Sequence, residues 1–166
     1  MEGGEHMGYK RLSIILIAMM LFAFSAIAFG ENIDPDNDGS QYAWGENVGW
    51  INLQPVWGPG ITVTDTAVTG YAWGENIGWI NMSPTEGGSV VNDGNGNLSG
   101  YAWGENIGWI NFNPTGGGVA INPATGVFSG YAWGENIGWI NFEPATGAAK
   151  TSWRGAVAVD ADGDGY

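Results

Sequence analysis

Short runs of alternating apolar and small or polar residues recur along this chain, each broken by a cluster of Gly, Asn and Glu. In Tyr101-Ala102-Trp103 and Trp109-Ile110-Asn111-Phe112 the aromatic and branched residues suit a pleated, half-covered surface. Between them lies Gly104-Glu105-Asn106-Ile107-Gly108, in which two glycines flank an Asn that tolerates positive φ, the chemistry of a hairpin turn. Pro114 and the glycines after it end the second strand. Val119-Ala120-Ile121 then supplies a third apolar stretch, and Pro123-Ala124-Thr125-Gly126 turns the chain into Val127-Phe128. Alternation with period two places Tyr101 and Trp103 on one face, and Trp109 and Asn111 on one face of their own strand. The pattern predicts a three-stranded antiparallel meander per unit and no helix after residue 28.

The unit is repeated almost literally. Tyr42 to Asn52 reads YAWGENVGWIN, and Tyr71 to Asn81, Tyr101 to Asn111 and Tyr131 to Asn141 all read YAWGENIGWIN, with starts 29, 30 and 30 residues apart. Each copy places a proline three residues after its last Asn: Pro55, Pro84, Pro114 and Pro144. A buried Trp hides about 150–250 Å², or about 4–6 kcal/mol at about 25 cal/mol per Å². Two per unit fall short of the roughly 30–60 kcal/mol of backbone entropy lost in ordering thirty residues. Single units are therefore not expected to fold alone, and neighbours must share a core. Trp44, Trp50, Trp73, Trp79, Trp103, Trp109, Trp133 and Trp139 are the expected core residues.

Two all-β architectures fit the joints between units. Ile61-Thr62-Val63, Val90-Val91 and Val119-Ala120-Ile121 precede the second, third and fourth hairpins, whereas only Ile33 stands before the first. After the fourth hairpin, Val157-Ala158-Val159 supplies a further segment of this kind. In an open solenoid-like stack this segment begins a fifth unit, and Tyr166 stands where a fifth YAWG would start. In a closed, small propeller-like ring it completes the first unit. The open stack is the expectation, with the ring as the alternative.

Composition bears on location and excludes some chemistry. Lys10 and Arg11 precede an apolar run from Leu12 to Ala28 that ends Ala26-Ile27-Ala28, the three parts of a secretory signal peptide, helical in its apolar stretch. The expected organisation is a signal peptide over 1–28, an acidic segment over 29–41, a four-repeat domain over 42–148, and a C-terminal strand with an Asp-rich loop over 149–166. Export implies a secreted or cell-surface protein that meets a membrane only through its signal segment. The chain has no cysteine, one histidine, and 17 acidic against 4 basic residues, for a net charge of −13. It therefore lacks disulfides and thiol nucleophiles. The single His6 precedes the signal cleavage site, so the mature chain has no Ser-His-Asp triad, and phosphate backbones would be repelled.

The acidic loops carry candidate chemistry. Asp34-Pro35-Asp36-Asn37-Asp38-Gly39 and Asp160-Ala161-Asp162-Gly163-Asp164-Gly165 both read D-x-D-x-D-G, the first half of a calcium loop. Asp34, Asp36, Asp38, Asp160, Asp162 and Asp164 are thus candidate calcium ligands, although Asx-Gly turns arise in such joints without metal. The repeated Glu46-Asn47, Glu75-Asn76, Glu105-Asn106 and Glu135-Asn136 are either turn tips or, beside tryptophan, hydrogen-bonding groups for a glycan. Four identical carboxylates lack the unequal environments that acid–base hydrolysis needs, so no enzyme is expected.

The unit GYAWGENIGWINF resembles tandem repeats of secreted or surface bacterial proteins, many without an assigned function. The tail VDADGDGY resembles the opening of thrombospondin type-3, dockerin and MopE-like calcium-binding repeats, matched at Asp160, Asp162 and Asp164. The combined expectation is a secreted, non-enzymatic β-repeat protein with a structural or adhesive role, stabilised by calcium and joined head to tail through strand edges. A lectin-like carbohydrate-binding module is the alternative.

Overall fold

The computed structural model describes residues 31–156, with the side chains of Glu31 and Asn32 left aside. The expected signal segment over 1–28, Val157–Val159, Tyr166 and Asp160, Asp162 and Asp164 lie outside the described residues. Within them are strands and turns only: β1 (Glu31–Asn32), β2 (Tyr42–Gly45), β3 (Gly49–Asn52), β4 (Ile61–Val63), β5 (Val68–Gly74), β6 (Gly78–Asn81), β7 (Ser89–Asn92), β8 (Leu98–Gly104), β9 (Gly108–Asn111), β10 (Gly118–Ile121), β11 (Phe128–Gly134) and β12 (Gly138–Asn141).

Each YAWG-x-x-x-GWIN run forms the expected hairpin in one register. In the first, Ala43 faces Ile51, Trp44 faces Trp50 and Gly45 faces Gly49, and the other three copies repeat these pairs. Each second strand ends in an Asx turn, in which Asn52, Asn81, Asn111 or Asn141 accepts through Oδ1 from the amide two residues on. This turn explains why every second strand closes on Asn just before its proline.

The hairpins close into an eight-stranded antiparallel barrel. β3 pairs β5, β6 pairs β8 and β9 pairs β11 through equivalent residues, and β12 pairs β2 through Ile140↔Gly45 and Asn141↔Trp44. The open solenoid is overturned. One inter-hairpin register, repeated, turns the chain by the same amount at each joint, and after four hairpins the last strand meets the first. Closure removes the edge strands, so the hairpin barrel offers no edge for head-to-tail joining.

The remaining strands make a second closed circuit below the first. β4, β7 and β10 pair with the N-terminal halves of β5, β8 and β11. β1 pairs β4, Val68 pairs Val90, and the bridges Asn97↔Ala120, Val127↔Lys150 and Ile33↔Thr151 complete the round. The long strands pass from one circuit to the other at Gly70, Gly100 and Gly130, each with φ between +82° and +90°. A Cβ at any of them would collide with the carbonyl oxygen of Gly60, Ser89 or Gly118 on the adjacent strand. The segment that completes the fourth unit is 149–151, held by the isolated bridges of Lys150 and Thr151: Ala149 donates to Phe142 O, as Val119 does to Phe112 O in the third unit, and accepts from Phe128. Its partner across the seam is Ile33, so the two ends of the described chain fasten the ring.

The tryptophans of the repeats are not the core. Along each strand Ala43, Ala72, Ala102 and Ala132 point inward, opposite Ile51, Ile80, Ile110 and Ile140, and all eight are buried. An eight-stranded barrel is just wide enough for side chains to fill it, and alternating small and large residues suit that bore. Eight indoles would not fit. Ile77, Ile107 and Ile137 fold back over Gly74, Gly104 and Gly134 to stop one end, with Val48 partly buried in the same role. Leu53, Met82, Phe112 and Phe142 form the next layer, and Phe142 stacks on Phe128 at 5.8 Å between ring centroids. The repeat tryptophans lie on the outer wall as cross-strand pairs, such as Trp103 and Trp109 with centroids 4.8 Å apart and planes at 70°. Edge-to-face pairs of this kind contribute about 0.5–1.5 kcal/mol each beyond area burial.

Candidate functional site

The Glu-Asn turn tips join one hairpin to the next. Asn76 donates from Nδ2 to Val48 O, Asn106 to Ile77 O, Asn136 to Ile107 O, and Asn47 to Ile137 O, all at 2.9–3.1 Å. These four bonds run round the rim of the barrel. Glu46 and Glu105 add a second tie, accepting through Oε1 from the amides of Trp139 and Trp79. Glu75 and Glu135 make no such bond. Of the residues read as turn or glycan ligand, Asn47, Asn76, Asn106, Asn136, Glu46 and Glu105 are engaged in ring closure, and two carboxylates remain free among the described residues.

The outer aromatic wall departs from fourfold symmetry at one place. In the first three units the loop after the second strand crosses to the next hairpin and covers its second tryptophan. A Cβ at Gly58, Gly88 or Gly117 would stand 2.6, 2.7 or 2.8 Å from an indole carbon of Trp79, Trp109 or Trp139, so only glycine permits that contact. In the fourth unit Gly147 is turned away, with φ +129° and nothing within 4 Å of where its Cβ would be. The indole it would cover, Trp50, is 43% exposed, whereas Trp79, Trp109 and Trp139 are half-buried.

The uncovered ring opens a groove of about 830 Å³. Tyr42, Trp44, Trp50 and Trp73 supply its aromatic wall, Glu75 and Asp38 its carboxylates, and Thr146 and Gly147 its far lip. Trp44 meets Trp50 edge to face at 4.8 Å and Tyr42 meets it at 6.0 Å, so the indole of Trp50 is braced from both sides. Asn52 and Asn76 also line the groove. Each uses one end of its amide in the fold and leaves the other for a ligand. Neither basic side chain of the described residues lines it: Lys150 pairs with Asp36, and Arg154 donates to Thr151 O and Trp153 O.

Asp34, Asp36 and Asp38 are not gathered round a common point. Asp34 accepts from the amides of Asp38 and Gly39 and from the Ser40 hydroxyl, forming the turn in which Asn37 takes φ +53°. Asp36 turns to Lys150, and Asp38 accepts from the Ser40 amide. The Ser40 hydroxyl and amide hold the Asp38 carboxyl below the ordinary aspartate range, which keeps it charged at the mouth of the groove. Among the described residues no three carboxylates or imidazoles are grouped to hold a metal ion.

Sequence reasoning missed two further tryptophans. Trp153 is 1% exposed, the most buried indole of the described residues, and donates from Nε1 to Asp65 Oδ1 at 2.9 Å. It lies outside the repeats, so periodicity could not single it out. Trp57 is 77% exposed beside Val56 on the first unit's covering loop, where the other units carry Thr, Glu, Gly or Ala. No protein-family model, curated protein or solved structure matches the chain.

Proposed function

We propose that the protein is a secreted, non-enzymatic adhesive module that binds carbohydrate in the groove around Trp50. The observation that carries this reading is the broken symmetry: one of four equivalent indoles is left uncovered, in the groove that also holds Glu75 and Asp38. The C–H face of a pyranose is apolar and weakly positive, and an indole face is apolar and weakly negative, so the two stack. Asn52, Asn76 and the carboxylates ring that platform with donors and acceptors for sugar hydroxyls. A volume of about 830 Å³ falls in the range of small-ligand sites, taking a few sugar residues. Because the aromatic wall is fixed by the barrel, its rings are pre-ordered and little side-chain entropy is lost on binding.

Glycan-array screening followed by titration of tryptophan emission tests this reading. Trp50→Ala is expected to lower affinity at least tenfold, whereas Trp57→Ala, outside the groove, leaves it unchanged. No binding to any glycan, or equal binding by Trp50→Ala, would overturn the proposal. Release of shorter sugars from a bound oligomer would overturn its non-enzymatic part.

A further inference from the structure

We infer that the ligand of the Trp50 groove is a cationic glycan, an oligomer of amino sugars with free, protonated amines. This inference rests on the carbohydrate reading and specifies its substrate class.

The charge arrangement selects the sign. Glu75 occupies the repeat position at which Glu46 and Glu105 are tied to backbone amides, yet its carboxylate has no hydrogen bond or ion pair among the described residues. It lines the groove together with Asp38, and no Lys or Arg lines it. A uronic or sialic acid would bring a third negative charge to this site with nothing to meet it. A neutral sugar would stack on Trp50 and take hydrogen bonds but leave Glu75 without a counter-charge, while Asp38 shares the field of Lys150, which is paired with Asp36. A sugar ammonium supplies that charge and is attracted to the same indole faces, since a cation over tryptophan within about 6 Å of the ring is stabilised by the ring quadrupole. The net charge of −13 adds a long-range field that draws cations to the protein.

The test compares three oligomers of one length by tryptophan emission: β-1,4-linked glucosamine, its fully N-acetylated form, and the glucose oligomer. The glucosamine oligomer is expected to bind at least tenfold more tightly than either neutral one at low salt. That advantage shrinks as salt screens exposed charges and as pH rises past the pKa of the amine. Glu75→Gln should abolish most of the preference, lowering the affinity for the glucosamine oligomer by a much larger factor than that for the N-acetylated one. Glu135→Gln, the equivalent free carboxylate outside the groove, should leave the preference intact. Melting curves of both variants that match wild type verify the fold.

If the neutral oligomers bind as tightly as the cationic one, the inference fails and the carbohydrate reading stands. A cationic preference that survives Glu75→Gln also overturns the inference. Absence of any Trp50-dependent emission change with all three oligomers overturns both.

Discussion

Asn47 donates through Nδ2 to the carbonyl oxygen of Ile137 at 3.0 Å, joining the turn of the first hairpin to that of the last across 90 residues. The bond has the same form as Asn106 to Ile77, which links neighbouring units 29 residues apart. The two are therefore expected to be of equal worth once the ring is closed. Asn47→Ala and Asn106→Ala should each cost about 1–2 kcal/mol, from the lost bond and the partly buried carbonyl left without a donor. That corresponds to a Tm lower by about 3–6 °C. In an open stack Asn47 would have no partner, so a silent Asn47→Ala beside a destabilising Asn106→Ala would refute ring closure.

The passage of β8 between the two circuits depends on Gly100. It adopts φ +85°, and a Cβ there would strike Ser89 O. Gly87 has a similar φ of +95° but open space around it. Gly87→Ala should therefore show conformational strain alone, about 1–2 kcal/mol. Gly100→Ala should exceed it by about 2 kcal/mol or more, because neither backbone can move without breaking its strand pairing. Denaturant melts of the two variants measure the difference, and equal values would mean that the strands do not approach so closely.

The hairpins were legible because their signals are local. Gly-Glu-Asn-Ile-Gly between alternating strands specifies a turn, and three copies of it with a fourth that carries Val48 for Ile specify a repeat. The inward face was not legible from alternation, which separates Tyr101 and Trp103 from Ala102 and Gly104 without saying which pair is inside. The unused clue was size: Ala and Gly recur opposite Ile in every copy, as a narrow bore requires. Ring closure was hidden for a different reason. Asn47 finds its partner in a backbone carbonyl, which carries no side-chain signature. The closing segment 149–151 places Lys150 between two buried residues, Ala149 and Thr151, and so does not read as apolar. The open groove lies further still from the sequence, since Gly147 differs from Gly88 and Gly117 in conformation and not in residue type.

Asp93 gives the joint between β7 and β8 a defined pH response. Its carboxylate accepts from Asn97 Nδ2 at 2.7 Å and from the amides of Asn95 and Asn97. These bonds, the Asn97 side chain foremost, lower its pKa below the ordinary aspartate value. A depressed folded pKa contributes stability that is present above the unfolded value, about 3.9, and is lost as pH falls through the folded value. Melting temperature should therefore decline as pH drops below about 4, and Asp93→Asn should show a shallower decline than wild type. Identical slopes for the two proteins would remove Asp93 from the account.

Trp153 and the repeat tryptophans should be separable by fluorescence, because they occupy opposite environments. Trp153 is sealed in the lower circuit with its N–H on Asp65, whereas Trp44, Trp50, Trp103 and Trp133 are exposed on the outer wall. Emission of the native protein should be dominated by solvent-contacting indoles and quenched strongly by acrylamide, with a minor blue-shifted fraction that resists quenching. Trp153→Phe is expected to remove that protected fraction. It should also lower stability by about 1–3 kcal/mol, since Asp65 loses its donor and the smaller ring leaves space. Trp50→Ala should instead reduce the quenchable fraction and leave the protected one. Uniformly blue-shifted, quencher-resistant emission from the native protein would return the tryptophans to the interior. It would also remove the aromatic groove on which the carbohydrate reading depends.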